Sequence, residues 1–327
     1  MTLLYLGEEH LRAIGFHWGE LVDVAEEAAA LIGKGDYVQP LKPYLRFRNE
    51  QNRIIAMPAY VGGDFHAAGL KWIASFPGNL NRGLPRAHSV TILNDADTGQ
   101  PSAILNTATV SAARTAAVSG LMIRHWLAAH QAPKNELRIG IIGMGPIGRF
   151  HFDMCKVLYG DVISRISLYD LRGVELDEES DERWIGRIRI ADNWEELYNN
   201  SDVIITCTVS DNRYIHLPPP EGALLLDVSL RDYRLEAIRS IKTIVVDSWT
   251  EVCRENTDIE LLHRENGLQE EQAVTLAHVV LNKKLKGKAG QEPILFCPMG
   301  MAAFDIAVAD WYVKKGNTLQ IGIPLPR

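Results

Sequence analysis

The segment LRIGIIGMGPIG, residues 137–148, restricts the fold of this chain more than any other feature of the sequence. Its first half predicts a short apolar strand, and Gly143, Gly145 and Gly148 then form the pattern G-x-G-x-x-G at the start of a predicted helix. The next apolar strand, RISLYD, ends in Asp170, 22 residues after Gly148. A strand, a glycine turn, a helix and an acid closing the next strand together predict a dinucleotide site in a parallel sheet.

Each residue of this segment has its own physical task in such a site. Gly143 permits the tight turn, Gly145 lets the backbone approach a pyrophosphate, and Gly148 permits close packing of the helix on the strand. The helix N-terminus favours phosphate groups. Asp170 would accept hydrogen bonds from a ribose, which favours NAD over NADP, although Arg172 could hold a 2′-phosphate. A glycine-rich turn without a ligand is the alternative interpretation.

The rest of the chain reads as two regions. Short apolar strands alternate with helix-length segments from residue 137 to residue 297, which is typical of a parallel sheet covered on both faces. Residues 37–61 look like strands broken by prolines, and 88–107 predict a hairpin around Asp97, Thr98 and Gly99. Helices are predicted over 18–35, 107–130 and 299–316.

Length and composition narrow the class of protein. A chain of 327 residues predicts two domains, and its net charge of −7 argues against nucleic acid and anionic membranes as partners. The four cysteines are far apart and no H-E-x-x-H pattern occurs, so we expect a reducing compartment and no metal site. The sequence shows neither a signal peptide nor a long apolar run, which predicts a cytoplasmic protein.

Two cations interrupt apolar surroundings outside the predicted sheet. Lys71 lies within AGLKWIASF, and Arg114 lies among small residues in VSAARTAAVSG. An arginine fork suits a carboxylate, and a lysine is rarely buried without a partner. Lys71 could instead be an edge-strand lysine in solvent, and Arg114 could belong to a structural ion pair.

Several motifs resemble one protein family over nearly the whole chain. IIAMPAYV, GLKWIASFPGN, ARTAAVSGL, IGIIGMGPIG and PMGMAAFDIAVA are similar in order and spacing to the ornithine cyclodeaminase/μ-crystallin family. The resemblance implies that Lys71 acts at the reacting C–N centre and that Arg114 grips an α-carboxylate. It also implies an α/β fold in which a Rossmann-type doubly wound parallel sheet, residues 118–298, is inserted into a substrate and homodimerisation domain of residues 1–117 and 299–327.

The chain departs from the cyclodeaminase pattern at three places. Ile55 stands where cyclodeaminases carry an acid for a distal ammonium, Lys42 replaces an arginine, and Asp232 is the nearest match to the family aspartate. The sequence looks more like the branch that oxidises N-(2-amino-2-carboxyethyl)-L-glutamate to L-2,3-diaminopropionate and 2-oxoglutarate with NAD⁺ in siderophore or antibiotic pathways. A cyclodeaminase with catalytic NAD, and a μ-crystallin-like binding protein or ketimine reductase, are the alternatives.

The glycine motif and the family resemblance together predict the site residues. Lys71 and Asp232 are the expected catalytic residues, with Lys71 acting as a base or as an electrostatic stabiliser. A small anionic, amino-acid-like substrate is expected to bind Lys42, Arg46, Arg53, Met57, Lys71 and Arg114. NAD is expected to bind Thr115, Gly143, Met144, Gly145, Pro146, Ile147, Gly148, Asp170, Cys207, Thr208, Val209, Ser229, Met299 and Gly300.

Overall fold

The structure is a computed structural model that describes residues 2–130, 136–176, 181–210 and 212–326. The chain divides into two compact units, one of residues 1–118 with 300–327 and one of residues 119–299. Within the described ranges, no helix has both the length and the apolar character needed to cross a membrane.

The elements follow one another along the chain with short connections. The order is β1 (Leu3–Gly7), α1 (Glu8–Ile14), α2 (Trp18–Lys34), β2 (Tyr37–Val38), β3 (Tyr44–Phe47), β4 (Asn49–Val61), β5 (Ala67–Ser75), β6 (Ala87–Asp95), β7 (Pro101–Asn106), α3 (Thr109–Ala128), β8 (Leu137–Ile142), α4 (Pro146–Tyr159), β9 (Ile163–Tyr169), β10 (Ile188–Ile190), α5 (Trp194–Asn199), β11 (Val203–Thr206), β12 (Leu224–Asp227), α6 (Leu235–Ile238), β13 (Thr243–Val246), α7 (Trp249–Val252), α8 (Asp258–Asn266), β14 (Ala273–Thr275), α9 (Leu276–Asn282), β15 (Ile294–Cys297), α10 (Ala302–Leu319) and β16 (Ile323–Leu325).

The first unit is a mixed sheet with helices on one face. Its strand order is β16-β1-β7-β6-β5-β4-β2, and β3 also pairs with β4. The predicted hairpin is present, because β6 and β7 run antiparallel on either side of a turn in which Gly99 donates to the carbonyl of Asp95. Helix α10 packs on β4 and β5, where Gly69 leaves room for the side chain of Ile306.

Pro58 does not break its strand, contrary to the prediction for residues 37–61. Ala56 donates its N–H to the carbonyl of Pro43, and alternate residues of a strand point their N–H groups the same way. The nitrogen of Pro58 therefore faces the gap between β2 and β3, where β4 has no paired strand. Since no ladder hydrogen bond is lost there, β4 continues through the proline.

The second unit is the predicted doubly wound sheet. Its eight strands follow the order β10-β9-β8-β11-β12-β15-β13-β14, and each neighbouring pair is parallel. Strands β11, β12, β13 and β15 are buried at every position, which explains their continuous apolar sequences. The predicted fold class, a Rossmann-type sheet together with a mixed sheet built from both chain ends, is confirmed.

Candidate active site

Lys71 lies in the interior of the first unit. It sits on β5 between Met57 of β4 and Thr91 of β6, and only 2% of the residue is exposed. Its Nζ lies 2.8 Å from Oδ2 of Asp305 on α10 and 3.2 Å from Oγ of Ser111 on α3. The alternative of a solvent-facing edge lysine is therefore wrong, because β5 is an inner strand and α10 covers this face.

Arg114 shares the same carboxylate. Its Nε lies 2.7 Å from Oδ1 of Asp305, and one terminal nitrogen donates to Oδ2 at 3.2 Å. The other side of the guanidinium lies against Gly300, whose φ is +85° and where a Cβ would approach within 2.6 Å of the arginine. The fork is thus held between a carboxylate on one side and a glycine backbone on the other, and a larger residue at 300 would displace it.

Lys42 is a third buried cation close to Lys71. Its Nζ donates to the carbonyl of Gly300 at 2.9 Å, and the residue is 3% exposed. Lys71 and Arg114 share the single carboxylate of Asp305, so with all three groups ionised this triad carries a charge of +1. Because burying unpaired charge is costly, this excess favours an anionic ligand.

The cluster changes the proton affinity of two of its members. Burial lowers the pKa of Lys71 to about 7, with Arg114 and Lys42 acting in the same direction and Asp305 opposing them. Burial alone would raise the pKa of Asp305, but the charges of Arg114 and Lys71 hold it below its ordinary value. Lys71 therefore exists as both amine and ammonium near neutral pH.

The other predicted substrate residues lie on the same sheet face at increasing distance from Lys71. Met57 is the register partner of Lys71 and is buried. Arg53 is four residues earlier on β4, roughly 13 Å along the strand, and pairs with Arg46 of β3. The guanidinium carbons of Arg46 and Arg53 lie 5.1 and 5.7 Å from the ring centre of Tyr44, so both stack near that ring rather than on Asp305.

The glycine turn of the second unit has the geometry expected from its sequence. Gly143 has φ +96° and packs on the backbone of Cys207, and a Cβ on Gly148 would lie 1.9 Å from the carbonyl oxygen of Gly143. Nothing lies within 4 Å of a Cβ built on Gly145, the N-cap of α4. Two of the glycines are thus required by packing, and the third leaves open space at a helix N-terminus, where an anion would fit.

Asp170 fixes the turn rather than projecting away from it. Its Oδ2 accepts the N–H of Met144 at 2.8 Å, and its Oδ1 accepts the N–H of Arg172 at 3.0 Å. The Nε of Arg172 lies 3.6 Å from the same oxygen. The carboxylate therefore holds the loop that carries the glycines, and Arg172 lies beside it.

Asp232 is buried beneath two hydroxyl groups. Oγ1 of Thr208 donates to its Oδ1 at 2.5 Å, and Oγ of Ser229 donates to its Oδ2. Burial raises its pKa, and the hydroxyls of Ser229 and Thr208 partly oppose that effect. Asp232 thus orders the loops after β11 and β12, on which Thr208 and Ser229 were predicted to bind cofactor.

The remaining predicted cofactor residues are spread over both units. The N–H of Met299 bonds Asp247 in the second unit, and Oγ1 of Thr115 bonds the carbonyl of Ser111 in the first. Pro146 and Ile147 are the first two residues of α4. Val209 lies in the loop that follows β11, and it is 58% exposed. Gly300 belongs to the first unit, where it contacts Arg114 and Lys42.

The sequence interpretation missed two members of the cluster, Asp305 and Ser111. Asp305 was visible as the one acid in the run AAFDIAVA, within a helix whose other residues read as core. A buried acid in such a helix requires a cationic partner, which could have directed attention to it.

The chain is similar to known proteins over nearly its whole length. The model of the family described as ornithine cyclodeaminase/mu-crystallin matches residues 14–317. The N-((2S)-2-amino-2-carboxyethyl)-L-glutamate dehydrogenase of Staphylococcus aureus is 34% identical over 336 aligned residues, which cover 99% of this chain and 98% of that protein.

Solved structures give the same result. The Δ1-pyrroline-2-carboxylate reductase of Thermococcus litoralis, in complex with NADH and L-proline, superposes with a TM-score of 0.82 at 25% identity, covering 98% of this chain and 99% of that one. An archaeal alanine dehydrogenase dimer with bound NAD superposes with a TM-score of 0.79 at 26% identity, covering 100% and 99% of the two chains.

Proposed function

Because this chain belongs to the ornithine cyclodeaminase/mu-crystallin family, we propose that it is an NAD-dependent dehydrogenase acting on the C–N bond of a carboxylate-rich amine. The proposed substrate is N-(2-amino-2-carboxyethyl)-L-glutamate, which with NAD⁺ and water yields L-2,3-diaminopropionate, 2-oxoglutarate, NADH and a proton. The observation that carries the proposal is the buried pair of Lys71 and Arg114 on the one carboxylate of Asp305, with Lys42 bonded to the neighbouring Gly300. The 34% identity to the Staphylococcus aureus enzyme supports the choice of substrate.

The cluster suits a substrate with several carboxylates. Asp305 neutralises one positive charge, and an α-carboxylate held by Arg114 would neutralise a second. Along the same face, the row of Ile55 and Ile73 offers no acid to a distal ammonium, and the row beyond it carries Arg53. An arginine there suits a second carboxylate, which N-(2-amino-2-carboxyethyl)-L-glutamate has and ornithine lacks.

The second unit has the features that a nicotinamide dinucleotide needs. Gly145 leaves open space at the start of α4, and Asp170 lies beside the glycine turn, where it suits a ribose and favours NAD. Cys207, Thr208 and Ser229 lie on loops at the carboxyl ends of parallel strands, which is where doubly wound sheets bind ligands. When bound, NAD⁺ supplies an acceptor for the hydride on the substrate Cα.

Lys71 is the proposed proton-transfer group. With a pKa of about 7 it is partly neutral, so its amine could take a proton from the water that adds to the imine of the oxidised substrate. As an ammonium it could polarise the carbinolamine that forms. Arg114 would orient the α-carboxylate, and Asp232 would either take part in proton transfer or hold Thr208 and Ser229 in place.

We also propose a homodimer formed through the outer face of the mixed sheet. Trp72 and Val90 are register partners, so they share the face opposite Lys71. Leu45 lies on that same face, in the next row along the strands. Trp72 is 41% and Leu45 50% exposed in the single chain. Exposed apolar side chains that share one sheet face suit an interface, and the archaeal alanine dehydrogenase relative is a dimer.

The proposed reaction would supply diaminopropionate to a siderophore or antibiotic pathway in the cytoplasm, where NAD⁺ is available. Purified protein with NAD⁺ and N-(2-amino-2-carboxyethyl)-L-glutamate should show rising absorbance at 340 nm, with NADH, 2-oxoglutarate and diaminopropionate formed in equal amounts. Ornithine is the comparison substrate. Proline and ammonia from ornithine without net NADH would overturn the proposal in favour of a cyclodeaminase, and binding of both compounds without turnover would favour a μ-crystallin-like role.

Two variants separate the proposed proton-transfer groups. Lys71→Ala should abolish turnover, and Asp232→Asn should retain part of it if the aspartate acts on Thr208 and Ser229 rather than on the substrate. Unchanged turnover in Lys71→Ala would remove the lysine from the mechanism.

A further inference from the structure

The single carboxylate of Asp305 pairs with both Lys71 and Arg114, two of the predicted site residues. It lies in the first turn of α10 and is fully buried, and its helix neighbours Phe304 and Ile306 are buried and apolar. Oδ1 accepts from Nε of Arg114 at 2.7 Å, and Oδ2 accepts from Lys71 at 2.8 Å and from Arg114 at 3.2 Å. Such an ion triad is a costly way to fill a core position, since well-packed apolar side chains serve at least as well.

The charged groups around Lys71 come from three parts of the first unit. Arg114 on α3 and Lys42 before β3 disfavour the ammonium form of Lys71, and Asp305 on α10 favours it. Ser111 adds a neutral hydroxyl 3.2 Å from Nζ. Asp305 thus opposes the combined effect of burial, Arg114 and Lys42, and its charge raises the fraction of Lys71 that is protonated at a given pH.

Asp305 also determines which edge of the Arg114 guanidinium remains for a ligand. It occupies the edge formed by Nε and one terminal nitrogen, and the backbone of Gly300 packs against the guanidinium beside the other nitrogen. The fork is therefore fixed in its plane before a ligand arrives, so no rotamer freedom is lost on binding.

We propose that Asp305 is a positioning residue of the reaction, whose single carboxylate orients the guanidinium of Arg114 and sets the charge of Lys71. This inference rests on the proposed function, in which those two residues contact the substrate.

The test measures Lys71 directly, by following its ¹³Cε signal against pH in protein labelled with [6-¹³C]lysine. Lys71→Met identifies the signal by removing it. In Asp305→Asn the Lys71 titration should move to lower pH by about 1–3 units, because an opposite charge within hydrogen-bonding distance has been lost. The limb of the kcat/KM profile that Lys71 controls should move in the same direction, and Asp305→Glu should restore part of both shifts.

A matched control exists on the same helix. Asp310 pairs with Lys314 at 2.7 Å and has no contact with the cluster among the described interactions, so Asp310→Asn should leave the Lys71 titration in place. A residue with a merely structural role at 305 would reduce stability or turnover without moving the titration. An unmoved Lys71 titration in folded Asp305→Asn overturns the proposal.

A measurement on the unaltered protein keeps the proposal testable if Asp305→Asn does not fold. The ¹³Cγ signal of Asp305 should shift at the pH at which Lys71 titrates, since the two groups are in contact. A silent Asp305 signal overturns the proposal. If Asp305 and Lys71 titrate together but N-(2-amino-2-carboxyethyl)-L-glutamate is not oxidised, the proposed function fails and the coupling stands.

Discussion

The two units bury opposite charges. The first unit buries Lys42, Lys71 and Arg114 and the single acid Asp305. The second buries Asp227, Asp232 and Asp258, of which only Asp258 has a described arginine partner, Arg213 at 2.6 Å. Burial works against the charged form in both units, lowering the pKa of Lys71 to about 7 and raising that of Asp258 to about 6. The two units differ in how their buried charged groups are compensated.

The acids of the second unit are satisfied within the protein. Asp227 accepts the N–H of Leu230 at 2.9 Å, and burial raises its pKa well above the ordinary value. Asp232 accepts two hydroxyl donors. Among the residues the structure describes, no group of acids, histidines and cysteines is placed to hold a metal ion. These aspartates therefore order loops, whereas Lys71 and Arg114 in the first unit share one carboxylate between them.

The two units also depend on pH in opposite directions. Lys71 has a folded pKa of about 7 and a reference value of 10.5, so between these values the folded state binds fewer protons and stability rises with pH. Asp258 has a folded pKa of about 6 and a reference value of 3.8, so the folded state binds more protons in that window and stability falls as pH rises.

After the loss of Lys71, which should abolish turnover, the largest expected effect is the loss of Arg114. Arg114→Ala should lower kcat/KM about 10²- to 10³-fold, because truncating one partner of a buried charge pair costs roughly 2–5 kcal/mol. The fold should survive, since Asp305 keeps Lys71 as a partner. Arg138, which pairs with Asp202 at 2.8 Å in the second unit, gives the matched control, and Arg138→Ala should change kcat/KM no more than about twofold. Equal losses in the two variants would contradict a specific role for Arg114.

An intermediate effect concerns Lys71 and stability. Between pH 7 and pH 9 the free energy of unfolding of the natural protein should rise by about 2 kcal/mol relative to Lys71→Met, because the variant lacks the group whose pKa burial lowers. Denaturant titrations at several pH values measure both curves. Parallel curves would mean that Lys71 keeps its ordinary proton affinity in the folded protein.

The smallest effect is expected at Asp227. Asp227→Asn should change the free energy of unfolding by less than about 1 kcal/mol at pH 7, since burial disfavours the charged form of Asp227, and an amide of nearly the same shape keeps an acceptor for Leu230. Thermal unfolding measures this change. A loss of several kcal/mol would show that Asp227 is ionised and that the contrast between the units is false.

Local signals in the sequence predicted the second unit well. The glycine turn, the strand before it and Asp170 lie within 34 consecutive residues, 137–170, and backbone sterics decide their conformation. Continuous apolar strands predicted the parallel sheet, because strands covered on both faces are apolar at successive positions. Strands β10 and β14 were missed because three-residue edge strands carry too little pattern.

The cluster in the first unit was only partly predictable. Lys71 and Arg114 stood out because they interrupt apolar segments, but Asp305 lies 191 residues beyond Arg114, and only the fold brings them together. Pro58 was misread because its effect depends on which neighbouring strand its nitrogen faces. Long-range pairing of this kind leaves no periodic trace in one sequence.

The most direct test of the central claim is a proton count on ligand binding. Calorimetric titration of 2-oxoglutarate, which has carboxylates but no amine, in the presence of NADH at pH 8 and in buffers of different ionisation heats gives the number of protons taken up. Because a carboxylate in the cationic cluster should raise the pKa of Lys71 from about 7, we expect uptake of about half to one proton per ligand, and none in Lys71→Met. Binding without proton uptake in the natural protein would contradict the account.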